Sequence, residues 1–330
     1  MRDLLSSPRV GSGVAATLLS VGTALPSGVI TNDDLAETLD TDDEWIVSRT
    51  GIHERRVGGT TTGLAIEAAR QAVDRSGVEP EQIDLVIVAT QTPDDLCPST
   101  AAGVQHALGL ECAAYDLNAA CAGFSYGLVT ANAMIGTGVR VAVVVGVDRM
   151  TAATNYEDRS TAILFGDGAG AVVLAAETEP SSGATGRHGL LGWDLGTDGS
   201  RPDILKSPIT DGKITGVEMN GKAVFKHMLG YAADAATRAV AAAGLTFDDL
   251  AAVLAHQANQ RILDAVADRL CVDRSKFVSV IATTGNTSAA SVPLALDAAV
   301  YDGTVVPGDP VLLLGFGGGL SWAATVAVWQ

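Results

Sequence analysis

The residue best suited to covalent chemistry in this sequence is Cys121. An apolar strand is predicted to end near Leu117, and an apolar helix is predicted from about Ala122 to Ile135. Cys121 would then lie at the amino end of that helix, where free backbone N–H groups and the helix dipole favour a thiolate over a thiol. This position suits a nucleophile. A cysteine used only for packing is the alternative, and it is the commoner case for a single cysteine in an apolar stretch.

Three other segments that could donate hydrogen bonds also follow predicted strands. His256 follows a strand at 251–255, Asn286 comes soon after a strand at 278–281, and the glycine-rich residues 315–319 follow a strand at 311–314. Each has an ordinary explanation as a core histidine, a helix cap or a tight turn. Because ligands of open α/β sheets bind beyond the carboxyl ends of the strands, we expect these groups to meet Cys121. Together they would supply a nucleophile, two side-chain donors and an oxyanion hole.

The elements that must position these residues alternate between strands and helices, and they occur twice. Residues 71–90 align without gaps on 238–257, and two later segments repeat at almost the same offset, 118–122 on 286–290 and 141–146 on 310–315. Matches in the same order favour an internal duplication over chance similarity between alanine-rich helices. We predict a first half, residues 1–178, with the nucleophilic cysteine, and a second half, residues 179–330, with the histidine, asparagine and glycine-rich loop. Each half should contain a mostly parallel sheet.

Composition narrows the class of protein. Of 330 residues, 47% are hydrophobic and only 5% aromatic, which is typical of strands covered by closely packed helices. No apolar run has the length of a membrane span, and the net charge of -17 disfavours nucleic acid and anionic membranes as partners. The four cysteines lack metal-site or disulfide spacing, so we expect reduced thiols, no metal and a cytoplasmic location.

A second candidate binding feature lies near the amino terminus. Thr41 and Glu44 have the spacing of a capping box, which predicts a helix beginning at Thr41. Trp45 and Arg49 would then share one helix face. An aromatic plate beside a cation could hold a nucleotide, and a core-edge tryptophan with a solvated arginine is the alternative.

These segments resemble the β-ketoacyl-[acyl-carrier-protein] synthase III family, whose members have the thiolase fold. The resemblance spans about residues 15–330 and rests on the surroundings of Cys121 and on the segments 256–259, 285–293 and 316–319, with 43–52 and 165–170. It implies an α/β fold in which duplicated halves form a five-layered α-β-α-β-α sandwich. It further implies a homodimer that begins fatty-acid synthesis by condensing an acyl-CoA with malonyl-acyl-carrier protein, without metal or redox cofactor.

The resemblance also implies roles for individual residues. Cys121 would attack the acyl thioester, and its own N–H and that of Gly318 would form the oxyanion hole. His256 and Asn286 would then hydrogen-bond the thioester oxygen as malonyl loses CO2. The other implied assignments are Trp45, Arg49, Arg159, Phe225 and Asn259 for CoA binding, Lys226 and Arg261 for carrier-protein docking, and Leu96, Cys97 and Phe316 for the acyl pocket. In the family, the segment with Leu96 and Cys97 reaches across the dimer.

Residue types separate this chain from near relatives. Similar thiolases have a second cysteine in the final glycine-rich loop, and elongating synthases have two histidines where this chain has His256 and Asn286. This favours the initiating, decarboxylating class. A starter-unit ketosynthase or acyltransferase of polyketide synthesis is the close alternative, and a noncatalytic acyl-CoA-binding protein is the alternative of another class. Lys222, where the family often has Asn, and Asp264 and Asp268, near Arg261, depart from the expected carrier-docking surface.

Overall fold

The computed structural model describes residues 16–176 and 189–330, which form two mixed sheets and the helices that cover them. The strands are β1 (Ala16–Ala24), β2 (Gly28–Thr31), β3 (Glu54–Val57), β4 (Leu85–Ala89), β5 (Ala113–Leu117), β6 (Val141–Arg149), β7 (Asp167–Ala176), β8 (Leu190–Thr197), β9 (Leu205–Lys206), β10 (Ile209–Thr210), β11 (Lys213–Ile214), β12 (Glu218–Met219), β13 (Ala252–Ala255), β14 (Pro310–Gly317) and β15 (Ser321–Val328). The helices are α1 (Asn32–Ala36), α2 (Asp43–Thr50), α3 (Thr61–Ser76), α4 (Thr100–Ala107), α5 (Gly123–Ile135), α6 (Arg159–Ala162), α7 (Gly221–Ala242), α8 (Gln260–Leu270), α9 (Ile281–Thr284) and α10 (Ser291–Tyr301).

The two large sheets repeat one strand order. The first runs β1-β7-β6-β4-β5, and the second, read from its corresponding end, runs β8-β15-β14-β13. Strand directions also match, since two antiparallel pairs are followed by a parallel pair in each sheet. This repetition is what a duplication would produce. The predicted boundary between the halves, at residue 178, lies outside the described residues.

The prediction of mostly parallel sheets is confirmed in strand direction, because among the described strands β7 alone in the first sheet and β15 alone in the second run opposite to the others. The predicted strand at 278–281 was wrong, and only an isolated bridge joins Phe277 to Val253. The side chain of Gln257 explains this, since its amide donates to the carbonyl of Val278 and its oxygen accepts from the N–H of Val280. Backbone groups that a strand would pair are therefore bonded to a side chain.

Helices and sheets stack in five layers. α3 and α4 cover the outer face of the first sheet, α7 and α8 cover that of the second, and α5 and α10 lie between the sheets in contact with strands of both. Alternation along β4 shows the two faces, because Leu85 and Ile87 pack toward the middle layer while Val86 and Val88 pack toward α3. The five-layered thiolase sandwich expected from the sequence is confirmed. Over the described residues, the longest apolar helices fall short of what crossing a membrane requires.

Two glycines let the middle layer approach the sheets closely. A Cβ on Gly146 of β6 would lie 2.3 Å from the carbonyl oxygen of Ala289, and a Cβ on Gly315 of β14 would lie 2.8 Å from the Cα of Ala122. These glycines align in the internal repeat, and each touches the turn that precedes a central helix. The turns before α5 and α10 are therefore seated on opposite sheets.

This contact makes Gly146 a sensitive position. We expect Gly146→Ala to lower the free energy of unfolding by about 1–3 kcal/mol or more, because the added methyl meets backbone that cannot move freely. Gly230→Ala is the matched control, because a Cβ at Gly230, inside α7, would have no other atom within 4 Å. This substitution should raise the free energy of unfolding by about 0.5–1 kcal/mol, since alanine is more favourable than glycine within a helix. Denaturant unfolding of the two variants measures both, and equal effects would contradict this account of Gly146.

Candidate active site

Cys121 lies in a single turn of 3-10 helix, Ala120–Ala122, between β5 and α5. Ala120 has a φ of 48°, in the left-handed region that costs a non-glycine residue about 1 kcal/mol or more. Its N–H donates to the side-chain oxygen of Asn118 at 3.0 Å, which helps to hold this turn. The cysteine is 8% exposed. A strained, fixed backbone thus presents the sulfur to the surrounding elements.

The surroundings of the sulfur come from three other segments. Gly317 is so close that a Cβ there would lie 2.8 Å from the Cys121 Sγ. The Ser288 hydroxyl oxygen lies 3.4 Å from Sγ, within hydrogen-bonding distance of a sulfur. The pKa of the Cys121 thiol is raised to about 11, because burial and the Asp148 charge together outweigh hydrogen bonds from Ser288 and from the backbone of Gly318 and Cys121, which lower it.

The expectation that the helix terminus favours a thiolate was therefore wrong for the unliganded protein. The regular helix begins only at Gly123, so Cys121 precedes it by a 3-10 turn. Loss of water around a fully enclosed sulfur outweighs the neighbouring N–H groups, and the nearby Asp148 adds a charge of the same sign. The thiol needs an activating step before it can attack.

His256 follows β13 directly and is 2% exposed. Its backbone N–H donates to the carbonyl of Leu314 at 2.7 Å, which fixes it beside β14. The ring lies edge-on to Phe316, and its Nδ1 is 3.2 Å from the hydroxyl of Ser291. Burial lowers the pKa of the His256 imidazole to about 3, although a hydrogen bond with the backbone of Ser288 raises it. The imidazole is neutral at physiological pH, so it can donate from one ring nitrogen only.

Asn286 is held by backbone pairing with the segment before β7. Its N–H donates to the carbonyl of Leu164 at 2.8 Å, and its carbonyl accepts from the N–H of Gly166 at 3.0 Å. The side-chain oxygen accepts from the N–H of Ser288 at 2.9 Å. This bond orients the amide so that its NH2 group is the part available to donate to a ligand.

A buried arginine braces the segment that pairs with Asn286. Arg55 is 1% exposed, and its guanidinium donates to the carbonyl of Ile163 through Nε at 3.0 Å and Nη2 at 2.6 Å. It also donates to the side-chain oxygen of Asn32 at 2.5 Å. Desolvation lowers the pKa of Arg55 to about 10, which leaves it cationic at neutral pH. The two-stranded sheet β2–β3 is thereby tied to the strand-like segment beside Asn286.

Cys121, His256 and Asn286 all line one cavity of about 900 Å³. Gly317 and Gly318 lie in the same wall. The cavity lining also contains several apolar side chains: Met150, Leu164, Phe165, Leu205, Val217, Met219 and Phe316. Exposed cations line it as well: Arg49, Lys206, Lys222 and Arg261. A neutral, mostly apolar interior therefore opens through a basic mouth.

The residues expected to bind CoA divide into two groups. Arg49, Phe225 and Asn259 line the cavity, whereas Trp45 and Arg159 lie beside it: the guanidinium carbons of Arg159 and Arg49 are 4.8 Å and 5.8 Å from the Trp45 ring centre. Asn259 caps α8 by accepting from the Arg261 N–H, and its amide donates to the carbonyl of Arg49.

Other expected positions fall outside the cavity. Lys226 is exposed on α7 and does not line the cavity, and Leu96 and Cys97 are also exposed and are not among its lining residues. The predicted cap at Thr41 was wrong, because the Asp42 carboxylate accepts from the N–H of Trp45 at 2.7 Å and so caps α2. Aspartate one position nearer the helix satisfies the same free donor.

Sequence reasoning missed Asp148, Gln91 and the contact of Ser288 with the sulfur. Asp148 is the eighth residue of β6, after an unbroken apolar run, and Gln91 comes just after β4. The strand-end rule that selected His256 applies equally to both. Ser288 lies within a segment already selected for the resemblance, but its sequence position gives no distance to Cys121.

Comparison with known proteins adds to this geometry. Family models described as 3-Oxoacyl-[acyl-carrier-protein (ACP)] synthase III match residues 115–199 and, for its C-terminal part, 240–329. The chain is 44% identical over 321 residues to β-ketoacyl-[acyl-carrier-protein] synthase III of Erythrobacter litoralis, covering 95% of this chain and 99% of that protein. The chain belongs to the β-ketoacyl-[acyl-carrier-protein] synthase III family. It is accordingly a condensing acyltransferase of the initiating type, as the sequence predicted.

Solved structures agree. The 3-oxoacyl-(acyl carrier protein) synthase III of Pseudomonas aeruginosa PAO1 superposes with a TM-score of 0.90 at 41% identity, covering 96% of this chain and 98% of that one. The priming β-ketosynthase from the R1128 polyketide biosynthetic pathway superposes with a TM-score of 0.89 at 37% identity, covering 98% of each chain. The fold of this synthase family is therefore used in both fatty-acid and polyketide synthesis.

The buried neutral histidine makes a prediction about acid stability. Its pKa falls from 6.5 to about 3 on folding, so the folded state binds fewer protons than the unfolded state between these pH values. The stability from keeping His256 neutral is present above pH 6.5 and is lost as the pH falls toward 3. Replacing the histidine should reduce this acid-induced loss of stability.

We expect the free energy of unfolding of His256→Asn to fall less steeply between pH 6.5 and 4 than that of the parent protein. His106→Asn is the control, because His106 is exposed on α4, and it should leave the slope unchanged. Denaturant unfolding at a series of pH values measures the slopes. Identical slopes for all three proteins would contradict a neutral buried His256.

Proposed function

We propose that the chain condenses an acyl-CoA starter with malonyl-acyl-carrier protein through an acyl-Cys121 intermediate. Cys121 sulfur attacks the acyl thioester, CoA leaves as the thiol, and malonyl thioester then loses CO2. The resulting enolate carbon attacks the acyl-Cys121 carbonyl and releases the β-ketoacyl product with the Cys121 sulfur as leaving group. The reaction as proposed uses no metal or redox cofactor, since acyl-CoA is a substrate.

The observation that carries this proposal is the set of neutral donors around one buried sulfur. The N–H groups of Cys121 and Gly318 lie beside the sulfur and would stabilise the oxyanion formed on attack. The neutral His256 ring and the Asn286 amide line the same cavity, where they would donate to the malonyl thioester oxygen as enolate charge develops. Donors already fixed in an apolar site favour the charged transition state over the neutral ground state.

The basic mouth suits the phosphate groups of CoA and of a phosphopantetheine arm. Arg49, Lys222 and Arg261 are exposed there, in a protein whose net charge is -17. We propose that Trp45 and Arg159, beside Arg49, hold the nucleotide end. The cations at the mouth would bind the anionic phosphate of the carrier group, and the reaction would take place at the Cys121 sulfur in the apolar interior.

Carrier-protein docking would use Lys226 and Arg261 around this mouth. The acidic neighbours that put this surface in doubt, Asp264 and Asp268, are both paired with Arg274, at 3.3 Å and 2.7 Å. Their charges are therefore partly neutralised on the surface of α8 and its following turn. This pairing leaves Arg261 as the cation that an acidic carrier protein would meet.

We further propose a cytoplasmic homodimer formed through β5. Among the described strands, β5 lies at the edge of the first sheet and pairs only with β4. Its Asp116 accepts from the N–H groups of Thr100 and Ala101 and so fixes the start of α4, next to the fully exposed Leu96. Pairing of two such edges would bury Leu96 and bring Cys97 of each chain toward the acyl end of the other's cavity.

A second candidate function is priming of polyketide synthesis. It is favoured by the similarity to the R1128 priming β-ketosynthase, which is nearly as close as that to the fatty-acid enzyme. Both functions use the same acylation and condensation steps. They differ in the starter group and in the carrier protein that accepts the product.

The first experiment tests the acylation and condensation steps that both functions share, and it identifies the preferred starter group, by offering the protein a panel of acyl-CoAs. One acyl mass should appear on Cys121, and malonyl-carrier protein should then remove it with one CO2 for each acyl group consumed. Cys121→Ala should show no acylation, and Cys112→Ala, outside the cavity lining, should be acylated normally. Mass spectrometry of intact protein reads each step. Discharge to an alcohol or amine without CO2 would replace this proposal by an acyltransferase.

A second experiment divides the roles of the donors. His256→Ala and Asn286→Ala should still be acylated, but their decarboxylation of malonyl-carrier protein should fall about 10²-fold or more, because the enolate oxygen loses a donor. Release of labelled CO2 measures this loss, with His106→Ala as the surface control. Normal CO2 release by both site variants would remove these residues from the site.

A third experiment tests the dimer. Leu96→Asp should shift the protein toward monomer, because a charge would enter the proposed interface. Tyr301→Asp is the matched control, since Tyr301 is almost as exposed, 93% against 101%, but lies at the end of α10. Sedimentation velocity at several concentrations gives the oligomeric state. A dimer that resists Leu96→Asp, or a monomeric parent protein, would contradict association through this segment.

A further inference from the structure

A buried carboxylate lies next to the nucleophile and takes no part in the chemistry described so far. Asp148 is fully buried near the end of β6. One carboxylate oxygen accepts from the hydroxyls of Thr90 and Thr92 at 3.0 Å each and from the N–H of Gln91 at 2.8 Å. The other accepts from the N–H of Ala289 at 3.1 Å. Its described partners are all neutral donors, and the ion pairs found over residues 16–176 and 189–330 do not include it.

Ser288 connects this carboxylate to the nucleophile. Its hydroxyl oxygen lies 3.4 Å from the Cys121 sulfur. Burial raises the pKa of Asp148, and hydrogen bonding with the same Ser288 hydroxyl lowers it. The side-chain NH2 of Gln91 donates to the same hydroxyl oxygen at 2.9 Å. Ser288 has a φ of 51°, a left-handed conformation that is costly for serine and that seats its side chain among these groups.

The hydrogen-bonding capacity of Ser288 then restricts where its proton lies. A hydroxyl has one proton to donate and two lone pairs to accept with, and the Gln91 NH2 occupies one lone pair. An ionised Asp148 only accepts, so it takes the hydroxyl proton and leaves a lone pair for the thiol proton of Cys121. When the proton lies on Asp148 instead, Ser288 donates to a Cys121 thiolate. With the proton on Cys121 or on Asp148, every one of the four side chains, those of Gln91, Ser288, Asp148 and Cys121, has a hydrogen-bond partner.

Electrostatics favour moving this proton within the site over releasing it. A Cys121 thiolate beside an ionised Asp148 would place two negative charges in a buried region whose described donors are neutral. Transfer of the thiol proton to Asp148 keeps the total charge of the pair at one. The neutral His256 ring remains free for its proposed contact with the malonyl thioester.

We propose that Asp148 is the base that deprotonates Cys121 and that Ser288 is the hydroxyl through which the proton passes. The Cys121 S–H bond breaks as an O–H bond forms on Ser288, and the original Ser288 proton forms an O–H bond on Asp148. The sulfur electron pair attacks the acyl carbonyl, the bond from that carbon to the CoA sulfur breaks, and CoA leaves with its electron pair. Asp148 releases its proton to the medium, from which the CoA thiolate takes one.

The first test measures the reactivity of Cys121 toward iodoacetamide at neutral pH, read by peptide mass spectrometry. Ser288→Ala and Asp148→Asn should each slow alkylation of Cys121 about 10²-fold, because both remove the base or its path. Ser125→Ala is the matched control, since Ser125 is also a fully buried serine close to Cys121 but its hydroxyl has no hydrogen-bond partner among the described residues. It should react at the parent rate. Parent rates in both relay variants would overturn the proposal.

The second test separates a proton path from a merely structural role, which would slow every variant without changing how protons move. Alkylation rates are measured across mixtures of H2O and D2O. Two protons moving together predict a curved dependence on deuterium fraction for the parent protein, and Ser288→Ala should give a linear or flat one. A linear or flat dependence in the parent protein would overturn the proposal even if the variants are slow or poorly folded.

This proposal rests on Cys121 being the nucleophile of the proposed function, but its test does not depend on the substrates. Iodoacetamide needs no CoA or carrier protein, so a failed relay and a wrong substrate class give different results. Normal alkylation of Ser288→Ala with normal acyl transfer by the parent protein would remove the relay alone. A curved isotope dependence in a protein that no acyl-CoA acylates would keep the relay and remove the proposed substrates.

Discussion

The site depends on how closely each sheet approaches the turn that precedes a central helix. Gly315 lies against Ala122, beside the nucleophile, and Gly146 lies against Ala289, beside Ser288. Because protein interiors are close-packed, turns seated this tightly have little freedom to shift. The N–H groups that surround the sulfur are consequently held in place before any substrate arrives, which is the condition for stabilising charge without a cost of reorganisation.

Charge is distributed unevenly along the cavity. The exposed lining includes cations such as Arg49 and Lys222, whereas the interior groups act through neutral dipoles, with His256 held uncharged by burial. A cation at the mouth is solvated and attracts phosphate over a distance, but the same cation beside Cys121 would have to be stripped of water. Cations at the solvated mouth can therefore attract phosphate, while the neutral donors of the buried interior act in a low-dielectric environment, where their hydrogen bonds are stronger.

Much of the site could be predicted from where polar residues follow apolar strands. That rule found His256 and the glycine-rich loop, and Asp148 obeys it too, although it was overlooked. The rule could not predict the ionisation state of Cys121, because the pKa of its thiol depends on burial by segments that are far apart in the chain. A local dipole argument considers only the helix that follows, whereas the sulfur of Cys121 is surrounded by residues from three other segments.

The errors in the fold have a similar cause. Residues 278–281 have the composition of a strand, but the side chain of Gln257 satisfies their backbone groups from across the loop. The start of α2 is a similar but smaller error, because Asp42 caps the helix one residue after the predicted cap Thr41. In both places two local patterns compete, and contacts that the sequence does not display decide between them.

The buried Arg55 gives the two-stranded sheet β2–β3 a role that is not apparent from its place outside the two large sheets. Its guanidinium joins Asn32 to Ile163, and the backbone just beyond Ile163 pairs with Asn286. The repeated elements therefore do not suffice to hold Asn286, because Arg55 lies in a strand outside both large sheets. The two-stranded sheet β2–β3 thus braces the wall of the cavity, although among the described residues its own strands contribute none of the cavity lining.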